Sequence, residues 1–202
     1  SSLTVSPKDN LLFGTDVRLS MMNQRFVLGS EVAVSLYNDN IIDGAITNEE
    51  MESSEIDLPF DPVDFENIFV INESMVPIKP GITNIALKSY LRLFVYRNLL
   101  NITFTNIGSS FNSLSTNYLQ KDAMVISFSD NLMLMNNRLA LNFGFNLSSD
   151  NVDDTKDNTS TSTAIFTQAM YKPNDQMYFN LNLNTNGSED GFIPDDDDQS
   201  NT

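Results

Sequence analysis

The chain has 202 residues, 41% of them hydrophobic, and a formal charge of -16 from 11 Lys+Arg against 27 Asp+Glu. That charge repels phosphate, and no basic patch with interleaved aromatics interrupts it, so nucleic acid is excluded as a partner. Cysteine and histidine are both absent, which removes disulfides, thiolate metal sites, cysteine nucleophiles, and the commonest general base and metal ligand.

Only carboxylates, hydroxyls, Lys and Arg remain for chemistry, so the expectation is a protein without catalysis, cofactor or metal. The mean hydropathy of -0.20 suits a single domain that buries one face of each strand. No run of about 18 apolar residues marks a membrane helix. The opening "SSLTVSPKDN" lacks the charged and apolar regions of a signal peptide, which suggests that a signal was removed or that this is an internal piece.

Period-two alternation begins at once and defines segments at 11–22 and 25–37, joined at "MNQR". A tight turn at Asn23-Gln24 sets Leu19 against Leu28 and Phe13 against Val34 on one face. On the other face it sets Asp16 directly opposite Glu31, with Arg18 diagonal to it. Two facing acids need a cation between them. Arg18 supplies it, either as a salt-bridge network that holds register, the preferred reading, or as a charged constriction or ion-binding spot in a pore.

The stretch 38–84 is too long for a plain loop. Its "LPFDPVDFENIFVINESMVPIKPG" carries apolar residues bounded by prolines, and burial of Phe60, Phe65 and Phe69 is expected, either inside a lumen or as a cover over its mouth. Segments 85–96 and 99–107 follow, turning at Arg97-Asn98 so that Val95 pairs with Leu100, Leu93 with Ile102 and Leu91 with Phe104. Lys88, Tyr90 and Arg92 then share the face of Asp16, Arg18 and Glu31.

Next come 123–135 and 138–148 around "MNNR". An Asn136-Asn137 turn pairs Leu134 with Leu139, Leu132 with Leu141, Phe128 with Phe145 and Ile126 with Leu147. The same register puts Asp130 opposite Phe143 on the apolar face, and a bulge within 129–131 is expected to turn it away. The last pair, 162–172 and 176–185, meets at "KPND" and is ambiguous. Either Ala164, Phe166 and Met170 or Ile165, Ala169 and Tyr171 face Met177, Phe179, Leu181 and Leu183.

Near the end, "NLNTNGSEDGFIPDDDD" spaces Asn182, Asn184 and Asn186 before Gly187 in the manner of a calcium loop, with Asp190, Asp195 and Asp197 nearby. Ile193 occupies the position where such a loop needs a bidentate Glu, so a solvated acidic loop is the preferred reading.

Strand length separates a membrane barrel from a soluble sandwich. At about 3.3 Å per residue and a tilt near 45°, eleven residues advance roughly 25 Å, the height of the apolar band of an outer-membrane barrel. The connections alternate between tight Asn-rich turns and the long polar stretches 38–84, 108–122 and 149–161, which carry most of the acid. The polar face holds Gly14, Ser20, Gly29, Ser35, Asn142, Gly144, Asn146, Asn180, Asn182 and Asn184, small and amide side chains that suit a hydrated lumen better than bulk water. Trp is missing from the interfacial positions, where Tyr37, Tyr96, Tyr171 and Tyr178 substitute.

The run from Pro59 through "PFDPVDFENIFVINESMVPIKPGITNIALKSYLRLFV" and on through "YRNLLNITFTNIGSSFNSLSTNYLQKDAMVISFSDNLMLMNNRLALNFGF" to Phe145 resembles a group of uncharacterised outer-membrane β-barrel proteins of Gram-negative bacteria. The resemblance implies location and fold and carries over no substrate or catalytic residue.

The expected fold is therefore an all-β, antiparallel up-and-down transmembrane β-barrel with about eight long strands here, one domain over 1–202 with a long insertion at 38–84. The closing "DDDDQSNT" repeats the approach to a strand seen at 153–166, so the chain is expected to be part of a larger barrel. The expected partners are outer-membrane lipid and small solutes, with the acidic loops favouring cations. The sequence leaves the oligomeric state open. The second reading is a secreted β-sandwich acting as an adhesin or ligand-binding module.

Overall fold

In the computed structural model the described residues are 6–53, 58, 60–77, 81–114, 120–154 and 156–192. The fold is all-β, with 62% of residues in strands, most of them antiparallel neighbours in sequence. The strands are β1 (Asp9–Met21), β2 (Phe26–Asn38), β3 (Met75–Val76), β4 (Ile85–Val95), β5 (Asn98–Ile107), β6 (Ala123–Leu134), β7 (Leu139–Asp150), β8 (Asn158–Asn174) and β9 (Met177–Phe192). All belong to one sheet in the order β1-β2-β4-β5-β6-β7-β8-β9, with β3 added to β2, and the sheet is not closed. Among the described residues no helix is long and apolar enough to cross a membrane, a statement that does not bear on strands.

Local chemistry explains the tight turns. Asn23 and Gln24 both take positive φ, as do Asn136 and Asn137, and Arg25 N–H and Arg138 N–H close the loops onto the Met22 and Met135 carbonyls at 3.2 Å. Two central residues at positive φ are what a right-twisted hairpin demands, and Asn tolerates that region better than most side chains. The β6–β7 register matches the sequence expectation at Leu134–Leu139, Leu132–Leu141, Phe128–Phe145 and Ile126–Leu147.

Four expectations about turns and strand pairing need correction. The β4–β5 turn lies at Tyr96-Arg97, not at Arg97-Asn98. The Gly108 N–H bonds to the Ile85 carbonyl at 2.9 Å, and these residues lie as far from that turn as the ladder requires. Leu93 therefore meets Leu100 and Leu91 meets Ile102, a shift of two residues that keeps every side chain on its face because the pleat repeats every two.

The β6–β7 ladder runs without a shift, so no bulge removes Asp130 from its place opposite Phe143. The last turn lies two residues beyond the sequence expectation, with Asn174 Oδ1 accepting from Gln176 and Met177 N–H at 3.0 Å and a bulge between Tyr171 and Asn174. The segment proposed as an acidic calcium-type loop is strand from Asn182 as far as Phe192, paired with Asn158–Gln168 of β8, and its alternating side chains cannot converge on one ion. Among the described residues no cluster of acidic side chains suits a metal, and Asp195 and Asp197 lie outside them.

The ambiguity of β8 resolves onto Ile165, Ala169 and Tyr171. Tyr171 pairs with Phe179 and Ala169 with Leu181, while Leu139, Leu141 and Phe145 of β7 lie beside Tyr171, Ala169 and Ile165. One apolar face thus continues across β6, β7, β8 and β9. Phe128 and Phe143 meet edge to face on it, ring centroids 5.9 Å apart. Much of this face is uncovered, with Phe143 45% exposed and Leu181 58% exposed.

Contacts group the chain into two compact units, residues 1–15, 32–86 and 107–121 in the first, and 16–31, 87–106 and 122–202 in the second. The first contains the small buried core of Phe69, Ile71 and Met75, against which Leu11, Leu36 and Leu58 pack. Helix α1 (Asn48–Ser53) and two 3-10 turns lie in the same unit. Buried amides fasten this stretch to β2. Asn38, fully buried, donates to the Val70 carbonyl at 2.8 Å and to Asn72 Oδ1 at 2.9 Å, while Asn72 Nδ2 reaches the carbonyls of Asn40 and Gly44 at 3.0 Å. Asn84 Nδ2 likewise donates to the Ser35 carbonyl at 2.7 Å. Phe69 is buried as expected, but Phe60 and Phe65 are exposed and stack edge to face on each other, centroids 5.1 Å apart. Pro62, itself fully buried, opens a short 3-10 helix, Pro62–Phe65, that leaves Val63 and Phe65 exposed.

Candidate functional site

The second unit carries a concavity of about 820 Å³ on the polar face of β1, β2, β4 and β5. The pleat and the pairing of these strands position its side chains. Phe94 N–H donates to the Arg25 carbonyl at 2.6 Å, and Ser30 and Ser89 hydroxyls meet at 3.0 Å. These contacts fix an antiparallel β2–β4 register that sets Lys88 across from Glu31 and Tyr90 across from Gly29. A Cβ on Gly29 would overlap the Tyr90 ring, so the glycine is what lets that ring lie flat across β2. On the other side of β2, the Arg25–Met22 bond and the placement of Gly14 beside Ala33 set Asp16 opposite Glu31.

Five of the six side chains expected from sequence to share a polar face, Arg18, Glu31, Lys88, Tyr90 and Arg92, line this hollow together. Asp16 faces Glu31 but does not line it. The expected bridge of Arg18 between two acids is not formed. Among the described residues the ion pairs within 4 Å are those of Lys156, and Lys88 is the cation that shares the row of Asp16 and Glu31.

Sequence reasoning missed Arg25, Phe94 and Asn101 at the rim and floor. Phe94 shares the parity of Lys88, Tyr90 and Arg92, a signal that was present but masked by its apolar character. Arg25 closes the β1–β2 turn, where its N–H bonds to the Met22 carbonyl.

No family model, curated protein or solved structure matches the chain. Geometry alone therefore describes the site. It holds four cations, Arg18, Arg25, Lys88 and Arg92, and one carboxylate, Glu31, with amide and hydroxyl groups from Asn23, Asn101 and Thr103 around them. This set can bind and orient a polar solute; it has no nucleophile paired to a base.

A second charged cluster lies in the β7–β8 connection. Lys156 Nζ bridges Asp122 at 3.2 Å and Asp150 at 3.5 Å. Asp122 Oδ1 also accepts the Asp153 N–H, and Asp150 Oδ1 accepts that of Ser160. The hydrogen bond to Asp122, reinforced by the charges of Asp122 and Asp150, holds the Lys156 ammonium above the usual lysine range. These contacts close on one another and make a loop clasp.

Proposed function

We propose that the chain is an outer-membrane β-barrel of a Gram-negative bacterium, serving passive permeation or surface exposure without catalysis. The observation that carries this reading is the apolar face of β6–β9. It extends over four strands with Asp130, Thr163 and Thr167 among its polar members, Leu181 and Phe143 on it are exposed, and among the described residues every strand belongs to the same sheet, so none supplies a second layer above it. A soluble chain rarely leaves so large an apolar surface in water, whereas acyl chains would cover it.

Two further features support the reading. Strands of 10 to 17 residues suffice to cross the apolar layer at a barrel tilt. Three of the four short turns carry exposed apolar or aromatic side chains, Met22, Tyr96 and Met135, each within three residues of an arginine, Arg25, Arg97 or Arg138, and the strands flanking the fourth carry Tyr178 and Lys172. Amphipathic and basic side chains at one end of the strands match a headgroup layer, while the acidic connections belong to the opposite end. The reading requires that the free edges of β1 and β9 be paired, with each other or with further strands, because hydrocarbon offers no partner to backbone polar groups.

Fractionation and gel behaviour test it. The protein should sediment with outer membranes, require detergent for extraction, and migrate differently with and without heating. A monodisperse protein that stays soluble without detergent overturns the reading and favours the secreted β-sandwich.

A further inference from the structure

We infer that the hollow on β1, β2, β4 and β5 is a binding site for a small multivalent oxyanion, a polycarboxylate or a phosphate-bearing solute. The reasoning starts from sign. Four of the chain's 11 basic residues but only one of its 27 acidic ones line this concavity, in a protein of net charge -16. Even with Asp16 added from its place opposite Glu31, cations outnumber carboxylates two to one. Elsewhere on the polar face the middles of β6 and β7 present hydroxyls, amides and small side chains, and that of β8 adds Phe166 and Gln168 but no charge, so the positive charge is gathered here and not spread.

Partnering is the second observation. Arg18, Arg25, Lys88 and Arg92 are exposed, and among the described residues none lies within 4 Å of a carboxylate. Lys156 shows what a structural cation looks like in this chain, held between two acids. The four in the hollow have no such restraint, and their donors remain free for a ligand. Three of them are arginines, whose planar forks suit two oxygens of one carboxylate or phosphate group. Amide and hydroxyl groups of Asn101 and Thr103 are placed to complete the coordination, and Tyr90, flattened over Gly29, supplies a floor. At about 820 Å³ the space admits a solute with several charged groups.

The acidic connections attract cations at long range, but that field is screened beyond roughly 8–10 Å in physiological salt, and inside the hollow the local set of charges decides. The inference does not depend on membrane insertion, since the same strands form the hollow whether or not the sheet closes.

Titration calorimetry of the full chain with inorganic phosphate and with citrate, at low ionic strength and again with added sodium chloride, tests it. The expected result is saturable binding of at least one of the two, weakened by salt. The Arg18→Gln/Arg92→Gln variant should weaken it at least tenfold, each single change at least threefold, with an unaltered circular dichroism spectrum because these side chains make no structural ion pair. The Arg138→Gln/Lys172→Gln variant removes the same charge outside the hollow and should bind as the parent does. Tighter citrate names a carboxylate ligand, and tighter phosphate a phosphate-bearing one. Absence of saturable binding to both, or equal weakening in the two double variants, overturns the site.

Discussion

The ring of Phe166 on β8 lies over the backbone of Gly144 on β7, its directly paired neighbour, so closely that a Cβ on Gly144 would overlap the ring. An apolar residue is thereby placed on the polar face at the one point where its partner has no side chain, an arrangement that covers backbone otherwise open to water. Gly144→Ala should destabilise the protein by about 1–3 kcal/mol in urea unfolding, the usual cost of overpacking. Phe166→Ala removes the obstacle, so the double variant should be more stable than the sum of the two losses predicts by about 1 kcal/mol. Strict additivity would mean that the contact has no energetic consequence.

That pair also explains how much of the fold could be read in advance. The β6–β7 register was legible to the residue because Asn136-Asn137 is turn chemistry with one solution, and the leucines and phenylalanines on either side fall on one face. On β8 the period-two signal fails, since Phe166 and Met170 occupy the polar face while Thr163 and Thr167 sit on the apolar one.

The extra length of β8 and β9 was also invisible. "NTSTS" and "NGSEDGF" have weak strand propensity, and pairing of β8 with β7 and β9 overrides it. In the site, alternation was sufficient to gather Arg18, Glu31, Lys88, Tyr90 and Arg92 on one face. Partner choice was not, because β2 pairs with β4 across 46 intervening residues whose conformation no local pattern specifies.

Asp130 presents the clearest local conflict. It stays on the apolar face opposite Phe143, where Asn98 Nδ2 donates to its Oδ2 at 3.5 Å, and among the described residues the Oδ1 atoms of both are buried without a hydrogen-bond partner. Two buried acceptors without donors are costly where water is excluded. Asp130→Asn supplies the missing donor, so the variant should be more stable than the parent by about 1 kcal/mol. A loss of stability in urea unfolding would show that the carboxylate has a partner that these contacts do not include.

Asn38 tests the opposite case, a buried amide with every group engaged. Its Nδ2 donates to the Val70 carbonyl and Asn72 Oδ1, and its Oδ1 accepts the Asn40 N–H at 3.0 Å. Asn38→Asp conserves shape, removes both donated bonds and sets a carboxylate against two acceptor oxygens. The expected cost is on the order of 3 kcal/mol, above that of a neutral lost bond because the group is charged. It should appear first as faster proteolysis within 40–77, the stretch that this amide holds. Unchanged cleavage would show that β3 pairing alone retains it.

Lys156 gives a pH dependence of known sign. Its hydrogen bond to Asp122 and the nearby charges of Asp122 and Asp150 raise its pKa above the 10.5 of a free lysine. A group whose folded-state pKa exceeds its unfolded one binds its proton more tightly when folded, so its contribution is complete below pH 10.5 and disappears as pH climbs through the folded value. The side chain is 48% exposed, so solvent screens the pair and the effect is small. Comparing the parent with Lys156→Met isolates it from other lysines. The Tm difference between the two should stay constant at neutral and mildly alkaline pH and close only above 10.5. A gap that persists unchanged above that pH, or that is absent at neutral pH, would remove Lys156 from the account.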